Sequence, residues 1–317
     1  MARATAAYYA TKNPFRDFTT APEISQIFGE LLGAWAATVW QQIGRPKPFL
    51  LTEAGPGRGT LMRDARRATS RVAPDFHAAA RVNFIETSPR LRAIQRDAVP
   101  DAIWHDDLSE IPPGQLILLA NEFLDALPIR QFVRAGGTWQ ERYVHDGVFV
   151  LQRAAAPAPS TAAPVGTIRE QGDAACAWTK TLAARLVAQG GAALILDYGP
   201  ARSGPGDSLQ ALRSGHPADP LADPGTADLT AHVDFQAVAE VASAEGAARW
   251  GPLPQGEFLA RLGLLPRVAA LASCNPDGAA AIRDGAHRLA APSRMGQLFK
   301  ALAITHPAAP PPPGFEA

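Results

Sequence analysis

The feature that most restricts the fold of this chain is a series of short apolar segments that alternate with helical segments. Five strands are predicted, at residues 48–53, 82–87, 103–105, 115–123 and 192–198, and helices at 60–70 and 89–97 separate the first three. Strands that are apolar on both faces and alternate with helices are typical of a parallel sheet covered on both sides. The predicted fold class is therefore α/β, with a Rossmann-like doubly wound sheet.

The rest of the chain is predicted to build onto this sheet. Residues 130–153 alternate polar and apolar side chains around Gly136-Gly137 and Asp146-Gly147, which indicates a small antiparallel meander, and residues 154–164 are predicted as a loop. We expect one domain over 1–317. Its predicted parts are an N-terminal helix and lid (1–47), a core with helical additions (48–129 and 190–305), an inserted meander, loop and helix (130–189) and a flexible proline-rich tail (306–317).

A helix is predicted before the first strand. Apolar side chains recur at helical spacing over residues 23–43, which gives the helix one apolar face. Thr20-Ala21-Pro22-Glu23 has the pattern of a capping box with proline in the first turn. We therefore expect one continuous helix that begins at this box.

The composition excludes several classes of function. Lys plus Arg and Asp plus Glu are balanced at 30 each, so no net field attracts nucleic acid or an anionic membrane. No apolar run approaches the roughly 20 residues that cross a bilayer, and residues 1–9 lack the apolar segment of a signal peptide. The seven histidines show no metal-ligand spacing, and Cys176 and Cys274 form no CxxC pair. A cytoplasmic bacterial protein with reduced thiols and no metal is expected.

A glycine turn after the first strand is the main functional signal. In Glu53-Ala54-Gly55-Pro56-Gly57-Arg58-Gly59, glycines at alternate positions between a strand and a helix allow a ligand to approach the backbone closely. The spacing is G-x-G-x-G rather than the G-x-G-x-x-G of dinucleotide sites. An acid such as Glu53 beside the turn suits the amino group of S-adenosylmethionine better than a pyrophosphate. A tight turn without a ligand is the competing explanation.

Acids after the next two strands strengthen the cofactor hypothesis. Glu86 ends the second strand, where a doubly wound fold places the carboxylate that holds ribose hydroxyls. Asp106 and Asp107 end the third strand, where one carboxylate could accept a hydrogen bond from an adenine amino group. Each acid alone is better explained as a solvated strand end or a helix cap. Together they predict one ligand-binding edge.

Groups that could orient a methyl acceptor follow the fourth strand. In Asn121-Glu122-Phe123-Leu124-Asp125, the Glu122 carboxylate could bind a guanidinium bidentately and favour the geometry needed for attack. For Asp125 we prefer the interpretation of a helix cap. His232 could reach the same edge, although a lone histidine is more often structural, and Asp234 could simply start the following helix.

One alternative activity arises from a short motif. Gly206-Asp207-Ser208-Leu209 matches the serine block of GDSL hydrolases, and Asp284-Gly285-Ala286-His287 matches their D-x-x-H. That serine block normally follows the first strand, whereas here it lies late in the chain and behind an intact glycine turn. No oxyanion-hole block accompanies it. A hydrolase therefore stays a remote alternative.

Over nearly its whole length the chain resembles the MidA family of class I methyltransferases. The matching blocks are Tyr8-Tyr9 and residues 17–25, 28–31, 53–62, 121–128, 197–199, 206–211, 227–235 and 295–300. The resemblance implies a seven-stranded core that binds S-adenosylmethionine. It also implies cofactor contacts at Thr20 and Pro22 in the lid and at Thr60 and Leu61 after the glycine turn.

The resemblance implies a protein substrate as well. Mitochondrial members of the family form symmetric dimethylarginine on a core subunit of respiratory complex I and assist its assembly, so we expect a protein-arginine methyltransferase with Asn121, Glu122 and His232 at the acceptor. Two departures affect the lid: seven residues precede Tyr8, and residues 13–16 replace a longer glycine-containing stretch. The alternative is thus a cofactor-binding assembly factor without turnover. The sequence does not identify the acceptor, the methylated product or the oligomeric state.

Overall fold

A seven-stranded mixed sheet forms the centre of the molecule in the computed structural model, which describes residues 1–12, 19–154, 158–160 and 162–316. The Asp17-Phe18 pair and the shortened stretch 13–16 lie outside the described residues. The central strands are β1 (Phe49–Ala54), β2 (Ala80–Ile85), β3 (Ile103–His105), β4 (Leu116–Asn121), β9 (Gly191–Tyr198), β13 (Ala248–Pro254) and β14 (Phe299–Thr305). Their order is β13-β14-β9-β4-β1-β2-β3.

The first five strands of this sheet along the chain are parallel, and β14 runs antiparallel to both of its neighbours. Because successive side chains of a strand point to opposite faces, β4 contributes to two separate cores. Ile117 and Leu119 pack on the side of α3 (Gln26–Gln42) and α4 (Thr60–Val72), whereas Leu116 and Leu118 pack against α7 (Asp173–Gln189) and α8 (Phe235–Ala244). This double burial explains the uninterrupted apolar runs, and the predicted α/β doubly wound fold class is confirmed.

Eleven helices are present among the described residues. They are α1 (Ala2–Thr11), α2 (Ala21–Ile24), α3 (Gln26–Gln42), α4 (Thr60–Val72), α5 (Pro74–Ala79), α6 (Pro89–Ala98), α7 (Asp173–Gln189), α8 (Phe235–Ala244), α9 (Gln255–Arg261), α10 (Leu264–Cys274) and α11 (Ala279–Ala290). Short helical turns at Leu108–Glu110 and Pro292–Gly296 follow β3 and α11. None of the helices among the described residues is long and apolar enough to cross a membrane.

Two small antiparallel sheets flank the central one. The first, in the order β7-β6-β5-β8, contains the predicted meander. Its strands are β5 (Arg130–Ala135), β6 (Thr138–His145), β7 (Val148–Arg153) and β8 (Ile168–Gln171). Both residues of each tight turn, Gly136-Gly137 and Asp146-Gly147, have positive φ, as such hairpins require. The second sheet was not predicted, and it contains β10 (Gln210–Arg213), β11 (His216–Ala218) and β12 (Asp228–Thr230).

Strand β13 was also missed from the sequence. Gly251-Pro252 lies in its middle, and a proline normally argues against a strand because it lacks a backbone N–H. The pairing of β13 with β14 shifts register between Trp250 and Leu253, which accommodates the two residues. The strand is at the sheet edge, where proline is tolerated.

The predicted single helix over 23–43 is wrong in its first turn. Ser25 has extended backbone angles and divides the segment into α2 and α3, and its hydroxyl caps α3 by accepting from the Ile27 N–H at 3.3 Å. Thr20 precedes α2 but makes no side-chain capping bond. The predicted capping box fails because the Glu23 carboxylate instead accepts a hydrogen bond from the Thr60 hydroxyl.

The C-terminal segment also differs from the predicted flexible tail. Over residues 306–316 it packs against α9, where the Phe315 ring lies 5.1 Å from that of Phe258. Arg261 donates hydrogen bonds to the carbonyls of Gly314 and Glu316. A proline run has few conformations to lose on ordering, so one apolar anchor and a few hydrogen bonds are enough to hold it.

Candidate functional site

The predicted site residues lie along one edge of the central sheet. Because β1, β2, β3 and β4 are parallel, their carboxyl ends meet at this edge. Glu53 is the penultimate residue of β1, Glu86 follows β2, and Asp106 and Asp107 follow β3. Asn121 ends β4, and Glu122 comes next. The topology therefore brings together candidates from four separate segments.

The glycine turn has the conformation that its sequence requires. Gly55, Gly57 and Gly59 have φ of +64°, +56° and +78°, a region that favours glycine. A Cβ added at Gly55 would lie 3.0 Å from a ring carbon of Phe123, and one at Gly59 would lie 3.1 Å from the Cβ of Ala98. The turn leads directly into α4, so Thr60 and Leu61 are the first helical residues. Glycine is thus required at these positions by backbone conformation and close packing, and the turn brings free backbone N–H groups to the start of a 13-residue helix.

Glu53 is buried beneath this turn, with 3% of its surface exposed. Burial raises the pKa of Glu53 well above its ordinary value, and a hydrogen bond from the Met62 backbone opposes that rise. Its Oε2 atom has no hydrogen-bond partner among the described residues. A buried carboxylate oxygen without a donor is costly, and an ammonium group at the edge would satisfy it.

Gln95 on α6 joins the glycine turn to Glu86, a role that sequence reasoning missed. Its Nε2 atom lies 2.8 Å from the Gly57 carbonyl oxygen and 3.1 Å from Glu86 Oε2. Its Oε1 atom accepts from the Trp104 indole at 2.8 Å. Glu86 Oε1 accepts from the Ser88 N–H at 2.8 Å, and burial raises the pKa of Glu86. Only contacts between distant segments identify Gln95, because glutamine on a helix carries no sequence signal.

Asp106 and Asp107 are both exposed beyond β3. Arg92 donates to Asp106 at 2.6 Å. Asp107 caps the following turn by accepting from the Ser109 N–H at 2.8 Å, and this bond lowers the pKa of Asp107. Both carboxylates therefore have partners within the chain, and either would have to share its oxygens with a ligand.

The turn after β4 is strained and holds the lid segment. Glu122 has φ of +50°, unusual for a residue with a side chain. Its Oε1 atom accepts from the Ala21 N–H at 3.0 Å and from Asn121 Nδ2 at 3.2 Å. Burial raises the pKa of Glu122 to about 7, and the nearby Asp125 carboxylate adds to the rise. Asn121 Oδ1 is buried and has no partner in the part of the chain that the structure describes. Glu122 therefore fixes the start of α2, the helix that contains Pro22, against the edge.

Asp197 holds this turn in place from β9. The fully buried Asp197 Oδ2 accepts backbone hydrogen bonds from Phe123, Leu124 and Asp125 at 3.1, 2.9 and 3.2 Å. Burial beside Asp125 raises the pKa of Asp197, and the backbone donors oppose this. Burial likewise raises the pKa of Asp125 to about 6. The strained geometry of Glu122 thus depends on a residue that the sequence showed only as part of a family block.

The N-terminal helix crosses the same edge. The Tyr9 carbonyl accepts from the Ser88 hydroxyl at 2.8 Å, and α1 contacts β12. Burial, together with the nearby Asp228 carboxylate, raises the pKa of Tyr9. Two helices of the segment predicted as an N-terminal helix and lid, α1 and α2, thus attach at Ser88 and at Glu122, and their closure over a ligand stays a prediction.

His232 packs against Tyr198 at the end of β9. The rings of Tyr198 and His232 meet edge to face, with their centroids 5.6 Å apart. The hydroxyl of Tyr198 forms a hydrogen bond with the Asp125 carboxylate, and this bond lowers the pKa of Asp125. Burial lowers the pKa of the His232 imidazole. Its backbone N–H donates to the Ser208 hydroxyl at 2.8 Å, so the residue faces the cavity beside Ser208.

The hydrolase motif does not assemble a catalytic triad. The Ser208 hydroxyl donates to the Glu170 carboxylate and accepts from the His232 backbone. Asp284 and His287 lie on α11, which packs against α2, α9 and α10. Ser208 therefore joins β8 to the loop before α8. No group of three or more His, Cys, Asp or Glu within the described ranges could hold a metal.

The arrangement fits an amino-acid nucleotide with a sulfonium centre. Three glycines keep the turn free of side chains, and the buried Oε2 atom of Glu53 lacks a donor among the described residues. An ammonium group supplies such donors, whereas a pyrophosphate would be repelled by Glu53. The donor set therefore suits the methionine half of S-adenosylmethionine.

The chain matches over residues 31–253 the family described as "Putative S-adenosyl-L-methionine-dependent methyltransferase". It is 36% identical to the mitochondrial protein arginine methyltransferase NDUFAF7 homolog of Drosophila melanogaster, over 94% of this chain and 78% of that protein. It is 33% identical to the Homo sapiens protein arginine methyltransferase NDUFAF7, over 91% of this chain and 73% of that protein.

Two crystal structures of proteins from Burkholderia thailandensis share the fold. One, bound to S-adenosyl-homocysteine, gives a TM-score of 0.78 at 26% identity and covers 95% of this chain and 80% of that one. The other gives a TM-score of 0.82 at 26% identity and covers 100% of this chain and 87% of that one.

Fold and glycine turn together define a class I methyltransferase that depends on S-adenosylmethionine. Within that class, the chain belongs to the MidA family, which includes the mitochondrial NDUFAF7 proteins. The family and the cofactor predicted from the sequence are both confirmed.

Proposed function

We propose that this protein transfers a methyl group from S-adenosylmethionine to an arginine side chain of a protein. The observation that carries the proposal is Glu122, a carboxylate held at the carboxyl edge of the sheet, directly after β4. A carboxylate is the group that binds a guanidinium bidentately. The names of the relatives, protein arginine methyltransferases, support the same acceptor.

We assign the cofactor to the half of the edge formed by β1, β2 and β3. Glu53 binds the amino group, and the turn at Gly55, Gly57 and Gly59 admits the methionine half, with Thr60 and Leu61 behind it. Glu86 holds the ribose hydroxyls, and Asp106 or Asp107 binds the adenine amino group. Thr20 and Pro22 of the lid segment cover the ligand.

When bound, S-adenosylmethionine supplies an electrophilic methyl group on a sulfonium. The Glu122 carboxylate localises the guanidinium charge on the nitrogens it contacts and directs another nitrogen toward the edge. Asn121 Oδ1, a buried oxygen with no partner in the described part of the chain, accepts a further N–H. The lid helices exclude water from this region. We place His232 farther out on the acceptor side.

One alternative rests on the same carboxylate. Glu122 Oε1 already accepts hydrogen bonds from Ala21 and Asn121, so the role of this carboxylate would be to attach the lid segment to the sheet. In that case the protein would bind S-adenosylmethionine and act as an assembly factor without turnover. The GDSL hydrolase has no comparable support, because Ser208 is bonded to Glu170 and to a backbone N–H.

The test is methyl transfer in an extract of the organism that encodes the protein. Purified protein and S-adenosylmethionine with a radiolabelled methyl group are added to extract from a strain that lacks the gene. We expect one labelled protein band and, after hydrolysis, labelled symmetric dimethylarginine. Following the family resemblance, we propose that the labelled protein is a respiratory complex I subunit or a similar protein. Label on another residue type, or none while calorimetry detects cofactor binding, would contradict the proposal.

The remaining sequence expectations stay predictions. These are the single-domain organisation, the absence of a nucleic-acid partner and the cytoplasmic bacterial location.

A further inference from the structure

A cavity of about 540 Å³ lies at the acceptor side of the edge, beyond β9. Its walls come from four parts of the chain: β8, the loop after β9, the segment before α8, and the segment from Pro292 to the start of β14. Four family blocks, 197–199, 206–211, 227–235 and 295–300, supply most of these walls. None of the cofactor roles uses these blocks. Their convergence on one cavity indicates a binding site of its own.

The charges that line this cavity favour a cation. Within the part of the chain that the structure describes, Glu170 accepts only from neutral donors, namely the Gln131 amide and the Ser208 hydroxyl and backbone. Asp234 accepts from the Ser203 hydroxyl and the Ala237 N–H. No arginine, lysine or histidine of the described residues forms an ion pair with either carboxylate.

One cation also lines the cavity, and it is already engaged. Lys300 is 8% exposed, and its ammonium group donates to the carbonyls of Gln297 and Leu298. With Lys300 charged and His232 neutral, the two carboxylates leave the lining with an excess of one negative charge. The imidazole stays neutral near pH 7 because burial lowers the pKa of His232.

The walls between these charged groups are apolar. Pro200, Pro205, Pro292 and Leu298 line the cavity, and 45% of the Leu298 side chain is exposed. Apolar walls that lead to carboxylates suit a side chain with methylene groups and a charged end. Arginine and lysine have that form.

The cavity adjoins the proposed acceptor position. His232 in its wall contacts the Tyr198 ring edge to face, and on the other side of that residue the Asp125 carboxylate bonds the Tyr198 hydroxyl. Asp125 belongs to the turn that begins with Glu122. Tyr198 and Asp125 thus connect the wall of the cavity to the turn that contains Glu122, and we place in the cavity a side chain that neighbours the one bound at Glu122.

We propose that this cavity binds a second basic side chain of the acceptor polypeptide, next to the arginine that is methylated. The proposal rests on the function proposed above and adds a specificity determinant to it. Glu170 and Asp234 attract the charged end, and the prolines and Leu298 contact the methylene stem. The protein thereby selects arginines that have a basic neighbour.

The test compares blocked peptides in the presence of S-adenosyl-homocysteine. One peptide contains two arginines separated by one or two glycines, and its analogues have citrulline, which is neutral and similar in shape, at either arginine. We expect the two-arginine peptide to bind about tenfold more tightly than both analogues, by fluorescence anisotropy. Equal affinities at both spacings would overturn the proposal.

Variants of the cavity test whether the affinity advantage of the two-arginine peptide arises there. Glu170→Gln and Asp234→Asn remove one charge each with little change of shape, and asparagine remains a good helix cap. We expect each to reduce the tenfold advantage. Because Glu170→Gln could disturb its bonds to Ser208, Leu298→Arg is the second variant: it places a cation at the exposed wall and should abolish the advantage.

Leu265→Arg is the matched control, since Leu265 is 72% exposed on α10 and does not line this cavity. It should leave the advantage unchanged. An advantage that survives Leu298→Arg would overturn the assignment to this cavity. The two proposals fail separately: a two-arginine advantage without methylarginine in extract refutes only the proposed function, and methylarginine without the advantage refutes only this inference.

Discussion

The two halves of the ligand edge differ in how their polar groups are satisfied. On the side of β1, β2 and β3, Glu86 and Asp107 have donors within the chain, and Gln95 joins Glu86 to the glycine turn, whereas Glu53 Oε2 lacks a donor among the described residues. On the side of β4 and β9, three carboxylates, Glu122, Asp125 and Asp197, lie close together. None of the three forms an ion pair with a described cation, although Arg288 lowers the pKa of Glu122 at longer range.

This difference matches what each half has to bind. A cofactor of fixed shape can bind to a turn whose conformation is held by hydrogen bonds from neighbouring residues. A guanidinium brings a positive charge, and unpaired carboxylates are available to receive it. Burying carboxylates without a cation costs stability, and such sites are therefore functional candidates. The comparison predicts that damage to the first half abolishes cofactor binding, whereas damage to the second half changes turnover.

The largest effect is expected from Gly57→Val. A branched side chain at φ of +56° is strained, so the turn would leave its conformation and the Gly57 carbonyl would lose Gln95. We expect S-adenosylmethionine affinity to fall by about a hundredfold or more, which calorimetry measures.

Gly147→Val is the control for backbone strain alone. Gly147 has φ of +75° in the hairpin between β6 and β7, and an added Cβ there meets no atom within 4 Å. It should lower the melting temperature without changing cofactor affinity. Cofactor binding by Gly57→Val that equals the parent's would show that the site lies elsewhere.

The two halves also differ in how much the sequence disclosed. Strand and turn positions follow from local patterns, so the glycine turn and the acids after β2 and β3 were predicted at their observed places. The acceptor half depends on contacts between residues far apart in the chain, such as Asp197 with the Phe123 N–H and Glu122 with the Ala21 N–H. No local periodicity encodes these contacts. The capping box at Thr20 failed for the same reason, because a distant hydroxyl competed for Glu23.

The second prediction concerns Glu122→Gln. Glutamine retains an oxygen that can accept from the Ala21 N–H, but it has no charge for a guanidinium. We expect turnover to fall by about two to three orders of magnitude, while cofactor affinity changes less than about threefold. Single-turnover methyl transfer and calorimetry measure the two quantities.

Glu30→Gln is the matched control, because Glu30 is a buried carboxylate on α3 that pairs with Arg67 and Arg267. Losing that charge should lower stability and leave turnover per folded molecule unchanged. Loss of cofactor binding in Glu122→Gln would place Glu122 in the cofactor half or in the fold. Unchanged turnover would favour the assembly factor.

The smallest effect is a dependence on pH that has opposite signs for stability and for turnover. The pKa of Glu122 is raised from 4.5 to about 7 by burial. Between these two values the folded state therefore holds a proton that the unfolded state has released, and the free energy of unfolding falls as pH rises. Turnover requires the carboxylate, so it should rise over the same window and level off above about pH 7. Urea denaturation and single-turnover rates from pH 4.5 to 8.5 measure both.

Asp125, whose pKa is raised to about 6, contributes to the stability slope of the parent and of Glu122→Gln alike. The difference between the two stability curves thus reports Glu122 together with its electrostatic interaction with Asp125 and Asp197, and we expect the advantage of the parent over the variant to shrink as pH rises toward 7. Parallel curves would mean that Glu122 ionises at an ordinary pH and is not buried with the lid. The acceptor half would then lack the raised-pKa carboxylate on which its expected pH dependence rests.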